Sequence, residues 1–256
     1  MKLEEYGEPL AYEIAFWMQG LTNPEYPVEE LGRLSLELSD KFRALAIIVL
    51  LVKGDSDLFY HNLIRSGRAR LIYLQRLKSE GIGQDHHQAS GRYEPLLDAI
   101  AAGDFELAHR IIELSPAEWQ KGHEYEDDYC YAQVLHRLVQ EPVPEQEIPP
   151  LFKQFEAYLE GQPSARLDVC RAIVEQDQPA FDEAFADLLD DREAQIAANK
   201  ARGQLEEPSV VAQRQVFIEG LALLRLAGRR GLATQPDYRY CPSLARIPMK
   251  TPFPGE

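Results

Sequence analysis

The chain has 256 residues, enough for one large domain or two small ones, and 45% of them are hydrophobic, which excludes a disordered polypeptide. Its formal net charge is −15, and such a surface would repel the phosphates of nucleic acid, so we expect no nucleic-acid partner. The same charge favours a cationic partner.

The sequence predicts a cytoplasmic protein that does not enter a membrane. The opening residues, MKLEEYGEPL, lack the apolar core of a signal peptide. The longest apolar run, ALAIIVLLV at 44–52, is shorter than the about 20 residues that span a bilayer, and it is typical of a buried helix. The cysteines Cys130, Cys170 and Cys241 are odd in number and widely spaced, which argues against a disulfide framework.

Helical periodicity begins early and continues through nearly the whole chain. Apolar residues three or four apart predict one helix over 29–53, which the pair Gly54 and Asp55 ends, and a second helix over about 58–78. The second helix is the basic exception in an acidic chain, and we expect its cations to pair with acids elsewhere on the fold. These cations are Arg65, Arg68, Arg70, Arg76 and Lys78.

A helical hairpin follows and then recurs. The segment EPLLDAIAAGDFELAHRIIEL predicts two helices joined at a Gly-Asp turn, with Asp104 as the N-cap of the second. The segment DVCRAIVEQDQPAFDEAFADLL repeats this arrangement 73 residues later, with Asp177 in the same place. Two hairpins at one spacing indicate a repeated unit of about 70 residues, as in an α-solenoid.

The remaining segments complete an all-α prediction. We expect helices over about 124–140, 151–159, 181–202 and 206–230, a non-helical proline connector at 141–150, and an extended, proline-containing C-terminal tail. The predicted fold is therefore all-α, with helical hairpins packed in a solenoid-like single domain over 1–256. Its possible sub-parts are N-terminal helices at 1–90, hairpin repeats at 91–235 and the tail at 236–256.

The stretch GHEYEDDYCYAQVLHRL at 122–138 is the candidate functional segment. It places carboxylates beside tyrosines, and the region 113–147 carries nine acids against two bases. Because tyrosine is enriched in interface cores, we predict a partner-binding face here. The helix after the second hairpin carries a similar acidic face, and we expect at least one of the two faces to contact the partner. The predicted contact residues are Glu124, Tyr125, Glu126, Asp127, Asp128, Tyr131, Asp187, Asp190 and Asp191.

The same stretch leaves other interpretations open. It could be a merely solvated face, or a metal site for a hydrolase using His123, Asp127 and Asp128 with Glu124, since residues four apart share a helical face. Metal sites in helical bundles usually draw paired Glu-x-x-His motifs from different helices, and a second such motif is absent from the sequence. A helical-repeat scaffold or secretion adaptor is a third alternative.

Catalytic signatures are absent from the sequence. It contains no HExxH, P-loop, GxSxG or CxxC motif. The tripeptide Asp85-His86-His87 occurs in some metal phosphoesterases, but there it belongs to an α/β core, whereas here it falls in a predicted loop between helices. We therefore predict a protein without enzymatic activity, cofactor or metal.

Three C-terminal segments carry a family resemblance. RLDVCRAIVEQDQPAFDEAFADLLDDR, VVAQRQVFIEGLALLRLAGRRG and DYRYCPSLARIP resemble the immunity protein 49 family of bacterial polymorphic toxin systems. The similar features are the turn at Asp177 followed by Phe181, the Glu219-Gly220 step before a Leu/Ala-rich helix, and the closing segment around Tyr240 and Pro242. A related all-α immunity family paired with DNase toxins has a similar acidic hairpin layout.

The resemblance implies an all-α cytoplasmic antitoxin that binds a cognate secreted toxin and protects the producing cell. A type VI secretion nuclease effector with a basic toxin domain would suit the acidic faces, because opposite potentials speed association. The resemblance thus implies inhibition by direct stoichiometric binding.

Overall fold

The two longest apolar stripes of the sequence become the two central helices of the computed structural model, which describes residues 3–83, 85–203 and 207–254. Helix α2 spans Val28–Lys53 and α3 spans Ser56–Glu80, and they pack against each other along most of their length. Gly54 ends α2 in a left-handed conformation with φ of 65°, and the Asp55 carboxylate accepts from the Leu58 amide at 2.8 Å to start α3.

Nine further helices pack around this pair within the described residues, which contain no strand, so the all-α prediction is confirmed. They are α1 (Gly7–Thr22), α4 (Glu94–Ala102), α5 (Phe105–Leu114), α6 (Glu126–Val139), α7 (Ile148–Leu159), α8 (Ala165–Glu175), α9 (Gln178–Ala201), α10 (Pro208–Gln213) and α11 (Ile218–Arg229).

The two predicted hairpins, α4–α5 and α8–α9, share one turn geometry. The Asp104 carboxylate accepts from the Leu107 amide at 2.9 Å, and the Asp177 carboxylate accepts from the Ala180 amide at 3.1 Å. In both turns the aspartate amide donates to the carbonyl five residues earlier at 3.0 Å. Both predicted N-caps are therefore present, and each turn also closes the end of the preceding helix.

The proline connector is partly helical, which the sequence prediction did not anticipate. Residues Glu145–Glu147 form a short 3₁₀ turn, and α7 begins at Ile148, so Pro149 and Pro150 lie in its first turn. The prediction that both prolines stand outside the helix was wrong, because a residue in the first turn has no helical partner for its amide and proline loses nothing there.

The single helix predicted over 206–230 is also wrong. Residues 204–206 lie outside the described part of the chain, and the rest divides into α10 and α11. Between them the Phe217 amide donates to the carbonyl of Tyr240 at 2.8 Å instead of continuing a helix. The tail thus supplies the hydrogen bond that separates the two helices.

The final helices and the tail return to the first half of the chain. Helix α10 packs on α2, and α11 packs on α4. The tail lies over the domain as predicted, with Cys241 and Ala245 buried, and the Tyr60 hydroxyl of α3 donates to the carbonyl of Ala245 at 2.8 Å. The hairpins are therefore joined to the central pair by contacts between residues distant in sequence.

The cations of α3 behave in two ways. Arg76 pairs at 2.7 Å with Glu80 of the same helix, and not with an acid elsewhere on the fold as predicted. Arg70 is buried and donates instead to the carbonyls of Gln88 and Ala89 at 2.9 and 3.1 Å, and burial lowers its pKa to about 10. Arg70 therefore holds a loop in place, which ion-pair reasoning missed.

Among the residues that the structure describes, every helix is either too short or too polar to span a lipid bilayer.

Candidate functional site

Helix α6 presents three acids in its first turn. Glu126, Asp127 and Asp128 follow Tyr125, whose extended backbone precedes the helix. Carboxylates are favourable there because the N-terminus of a helix carries a partial positive charge. The helix begins two residues later than predicted, so the expectation that Glu124 shares a helical face with Asp127 and Asp128 was wrong.

Glu124 is engaged by its own chain. Its carboxylate accepts from the amides of Gly91 at 2.6 Å and Gln120 at 3.0 Å, and from the Ser90 hydroxyl at 3.3 Å. These bonds tie the loop before α4 to the loop before α6. The position that the sequence offered as a partner contact therefore acts as a link between two loops.

Asp128 and Tyr131 point inward. The Tyr93 hydroxyl donates to Asp128 at 3.0 Å, and burial raises the pKa of this carboxyl. Tyr131 is 1% exposed, its ring meets Tyr93 edge to face at 5.0 Å, and the Arg166 guanidinium lies 5.2 Å from its centroid. The prediction of Tyr131 as a surface contact was wrong, because its side of α6 faces the core.

The outward side of this region carries two tyrosines. Tyr125 is 71% exposed, and Tyr158 at the end of α7 is 41% exposed. The negative charge of Asp127 raises the pKa of Tyr158, which places the two side chains close together. Glu126 accepts from Gln154 of α7 at 3.0 Å and so joins the two helices. We call Tyr125, Glu126, Asp127 and Tyr158 the tyrosine–acid face.

Asp127 has an unusual carboxylate. Its Oδ1 atom is shielded from solvent and has no hydrogen-bond partner in the part of the chain that the structure describes. A buried, unpaired acceptor is costly, and a donor brought by a partner would offset that cost. The tyrosine–acid face therefore contains one acceptor atom whose hydrogen bonding is unsatisfied within the described residues.

Sequence reasoning missed Tyr158. It lies 33 residues from Tyr125, in a helix whose start was misplaced by the proline connector. The sequence signal that could have revealed it lies in α7, where Phe152 and Phe155 form a buried stripe and Tyr158 follows in the last turn. A tyrosine beyond a helix's buried stripe points toward solvent.

The acids of α9 lie on a separate surface. Asp187, Asp190 and Asp191 are all exposed. Arg239 of the tail pairs with both Asp190 and Glu193, so part of this surface is neutralised by the chain itself. The α9 surface therefore offers a weaker field to a partner than its sequence indicates.

The histidines near α6 do not assemble a metal centre in the described chain. The rings of His86 and His123 are 5.6 Å apart, and the described residues contain no group of three or more His, Cys, Asp or Glu side chains placed to hold an ion. Asp85 instead caps a short 3₁₀ turn by accepting from the His87 amide at 2.8 Å. The hydrolase alternative gains no support from this geometry.

Comparison with known protein families identifies a match over most of the chain. The sequence model of the family described as immunity protein 49 matches residues 44–245. No curated protein matches the chain. No solved structure matches it either. The matched region includes α3 to α11, the tyrosine–acid face and the tail as far as residue 245.

Proposed function

Because this chain belongs to the immunity protein 49 family, we propose that it binds a cognate secreted toxin and neutralises it by direct, stoichiometric contact. Inhibition of this kind requires a surface with the right shape and charge and needs no catalysis. We place the encounter in the cytoplasm, where an incoming effector would act.

The observation that supports a particular contact surface is the exposure of Tyr125 and Tyr158 beside the unpaired carboxylate of Asp127. Tyrosine side chains are frequent among the few interface residues that dominate binding energy. Both side chains carry a large, mainly apolar ring that water surrounds in the free protein, and burial against a partner would remove these rings from water.

The negative charge of the chain supports a toxin with a basic surface as the partner. The chain has a net charge of −15, and the first turn of α6 adds a local concentration of negative potential. Opposite potentials can raise association rates to about 10⁸–10⁹ M⁻¹s⁻¹ at low salt. A nuclease effector needs a cationic surface to hold nucleic acid, and we propose such an effector, delivered by type VI secretion, as the partner.

The test co-expresses a candidate toxin, chosen from the genes that neighbour this one, with the wild type and with a Tyr125→Ala/Tyr158→Ala variant. Truncation of two interface anchors should weaken binding by about thirtyfold or more and reduce survival of the host cells. Tyr12→Ala is the matched control, because Tyr12 is 77% exposed and lies on α1, outside the tyrosine–acid face.

Affinity by calorimetry and survival on plates give independent readouts. Full protection and an unchanged dissociation constant in the double variant would place the toxin on another surface. A toxin that stays active with the wild-type chain bound at one to one would refute direct neutralisation itself.

A further inference from the structure

A cavity of about 770 Å³ lies where α1, α2, α3, α5 and the tail meet. Its wall is mainly apolar, with Ile14 and Met18 from α1, Leu45 from α2 and Ile72 from α3. A volume of this size is typical of sites for small organic ligands. None of its lining residues belongs to the tyrosine–acid face.

Among the residues that the structure describes, the charged side chains that line this cavity are all basic. Arg65, Arg68 and Arg110 line it, and no acid does among the described lining residues. This is unexpected in a chain with 42 acidic and 27 basic residues. Arg65 is half-buried, which lowers its pKa, and a bound anion would offset the cost of removing its guanidinium from water.

The tail packs an aromatic ring against two of these guanidinium groups. The Phe253 ring lies at one edge of the cavity, 4.4 Å from the Arg68 guanidinium and 5.7 Å from that of Arg65. Asp57 fixes this part of the tail by accepting from the amides of Lys250 at 2.7 Å and Thr251 at 3.0 Å. An apolar group packed against a guanidinium is therefore already present in the site.

We propose that this cavity, the arginine groove, binds a free single-chain anionic amphiphile, a molecule with a carboxylate or similar head and an aliphatic body. Arg65 and Arg110 would meet the head, because guanidinium groups form strong, directed hydrogen bonds with carboxylates. The apolar residues of α1, α2 and α3 would cover the body and remove it from water.

The test titrates the purified full chain with decanoate, decanol and decyltrimethylammonium below their micelle concentrations. Decanoate should bind at one molecule per protein chain and raise the melting temperature of the protein, whereas the cationic decyltrimethylammonium should not bind. Decanol should bind about tenfold more weakly than decanoate, since a hydrogen bond between charged groups is stronger than one to a neutral hydroxyl. Equal binding of decanoate and decanol, or no binding of decanoate, would overturn the proposal.

Variants locate the site. Arg65→Gln and Arg110→Gln should each weaken decanoate binding by about tenfold, whereas Arg33→Gln, which removes the same charge from the exposed side of α2, should not. Arg110 is exposed, so its replacement should leave the fold intact.

A second pair of variants tests the apolar part of the groove. Ala11→Trp should block it, because Ala11 is exposed and lines it, while Ala15→Trp on the same helix should have no effect. Wild-type affinity in both Ala11→Trp and Arg110→Gln would place the ligand elsewhere. Co-sedimentation with phosphatidylglycerol vesicles that Arg110→Gln abolishes would replace the free amphiphile by a membrane surface.

Discussion

Arg43 of α2 and Asp98 of α4 form a two-point ion pair in the interior, with Nε to Oδ1 at 2.7 Å and Nη2 to Oδ2 at 2.8 Å. The Asp98 side chain is completely enclosed, and Ser66 of α3 also donates to it. Burial by itself would lower the pKa of Arg43, but the Asp98 carboxylate raises it above its ordinary value. Three helices therefore converge on a single carboxylate.

Asp98→Asn should lower the free energy of unfolding by about 3–5 kcal/mol, because the buried charge of Arg43 would lose its hydrogen-bonded counter-ion. Replacing both partners, as Arg43→Met with Asp98→Leu, should cost much less than the single change, since no charge is then buried. Urea unfolding checks both, with the exposed Asp187→Asn as the control. A single variant as stable as the control would show that the pair is unimportant.

The two hairpins differ at the residue before the capping aspartate. Gly103 adopts φ of 78° and Gln176 adopts φ of 57°, a conformation that glycine tolerates best. Gln176→Gly should therefore stabilise the protein by about 1 kcal/mol. Gly103→Ala should destabilise it, because the conformation is strained for alanine and the added Cβ would lie 2.9 Å from the Arg225 Nη1 atom. Thermal melting of the two variants should shift in opposite directions, and shifts of the same sign would contradict this account.

His136 is buried in α6, and burial lowers its pKa to about 3. The unfolded chain takes up a proton near pH 6.5, whereas the folded chain does not until much lower pH. The stability that neutral His136 contributes is therefore complete above about pH 6.5 and is lost as the pH falls from there toward 3.

Between pH 7 and pH 5 the wild type should lose about 2 kcal/mol more unfolding free energy than His136→Gln, which has nothing to protonate there. Urea titrations at several pH values measure the difference. Parallel curves for the wild type and His136→Gln would refute the assignment.

Adjacent acids of α6 should respond differently to charge reversal. Asp127→Lys should slow association with the toxin and weaken its salt dependence, with a melting temperature near that of the wild type. Asp128→Lys should unfold the protein at lower temperature, because Asp128 accepts a hydrogen bond from Tyr93 in a partly buried place. Rapid-mixing kinetics at low and high salt, with melting curves, separate the two effects. Equal melting temperatures for the two variants would contradict the inward position of Asp128.

Local chemistry made much of this fold predictable. The capping carboxylates of Asp104 and Asp177 act within three residues, so sequence patterns reveal them directly. The break between α10 and α11 depends on the hydrogen bond from the Phe217 amide to the Tyr240 carbonyl of the tail. The residues next to Phe217 in the sequence do not indicate this distant contact. The inward side of α6 likewise depends on Tyr93 and the guanidinium of Arg166, which come from other elements. Exposure of a tyrosine is a tertiary property, and spacing alone cannot reveal it.

The buried position of the tail affects how the chain matures on the ribosome. Cys241 and Ala245 are enclosed by helices that are synthesised earlier, and α11 needs α4 as its neighbour. Until those late residues emerge, the growing polypeptide exposes the apolar surface that they later cover, and exposed surface of this kind invites aggregation. The core of this immunity-family protein is therefore complete only after residues 241–245 have been synthesised.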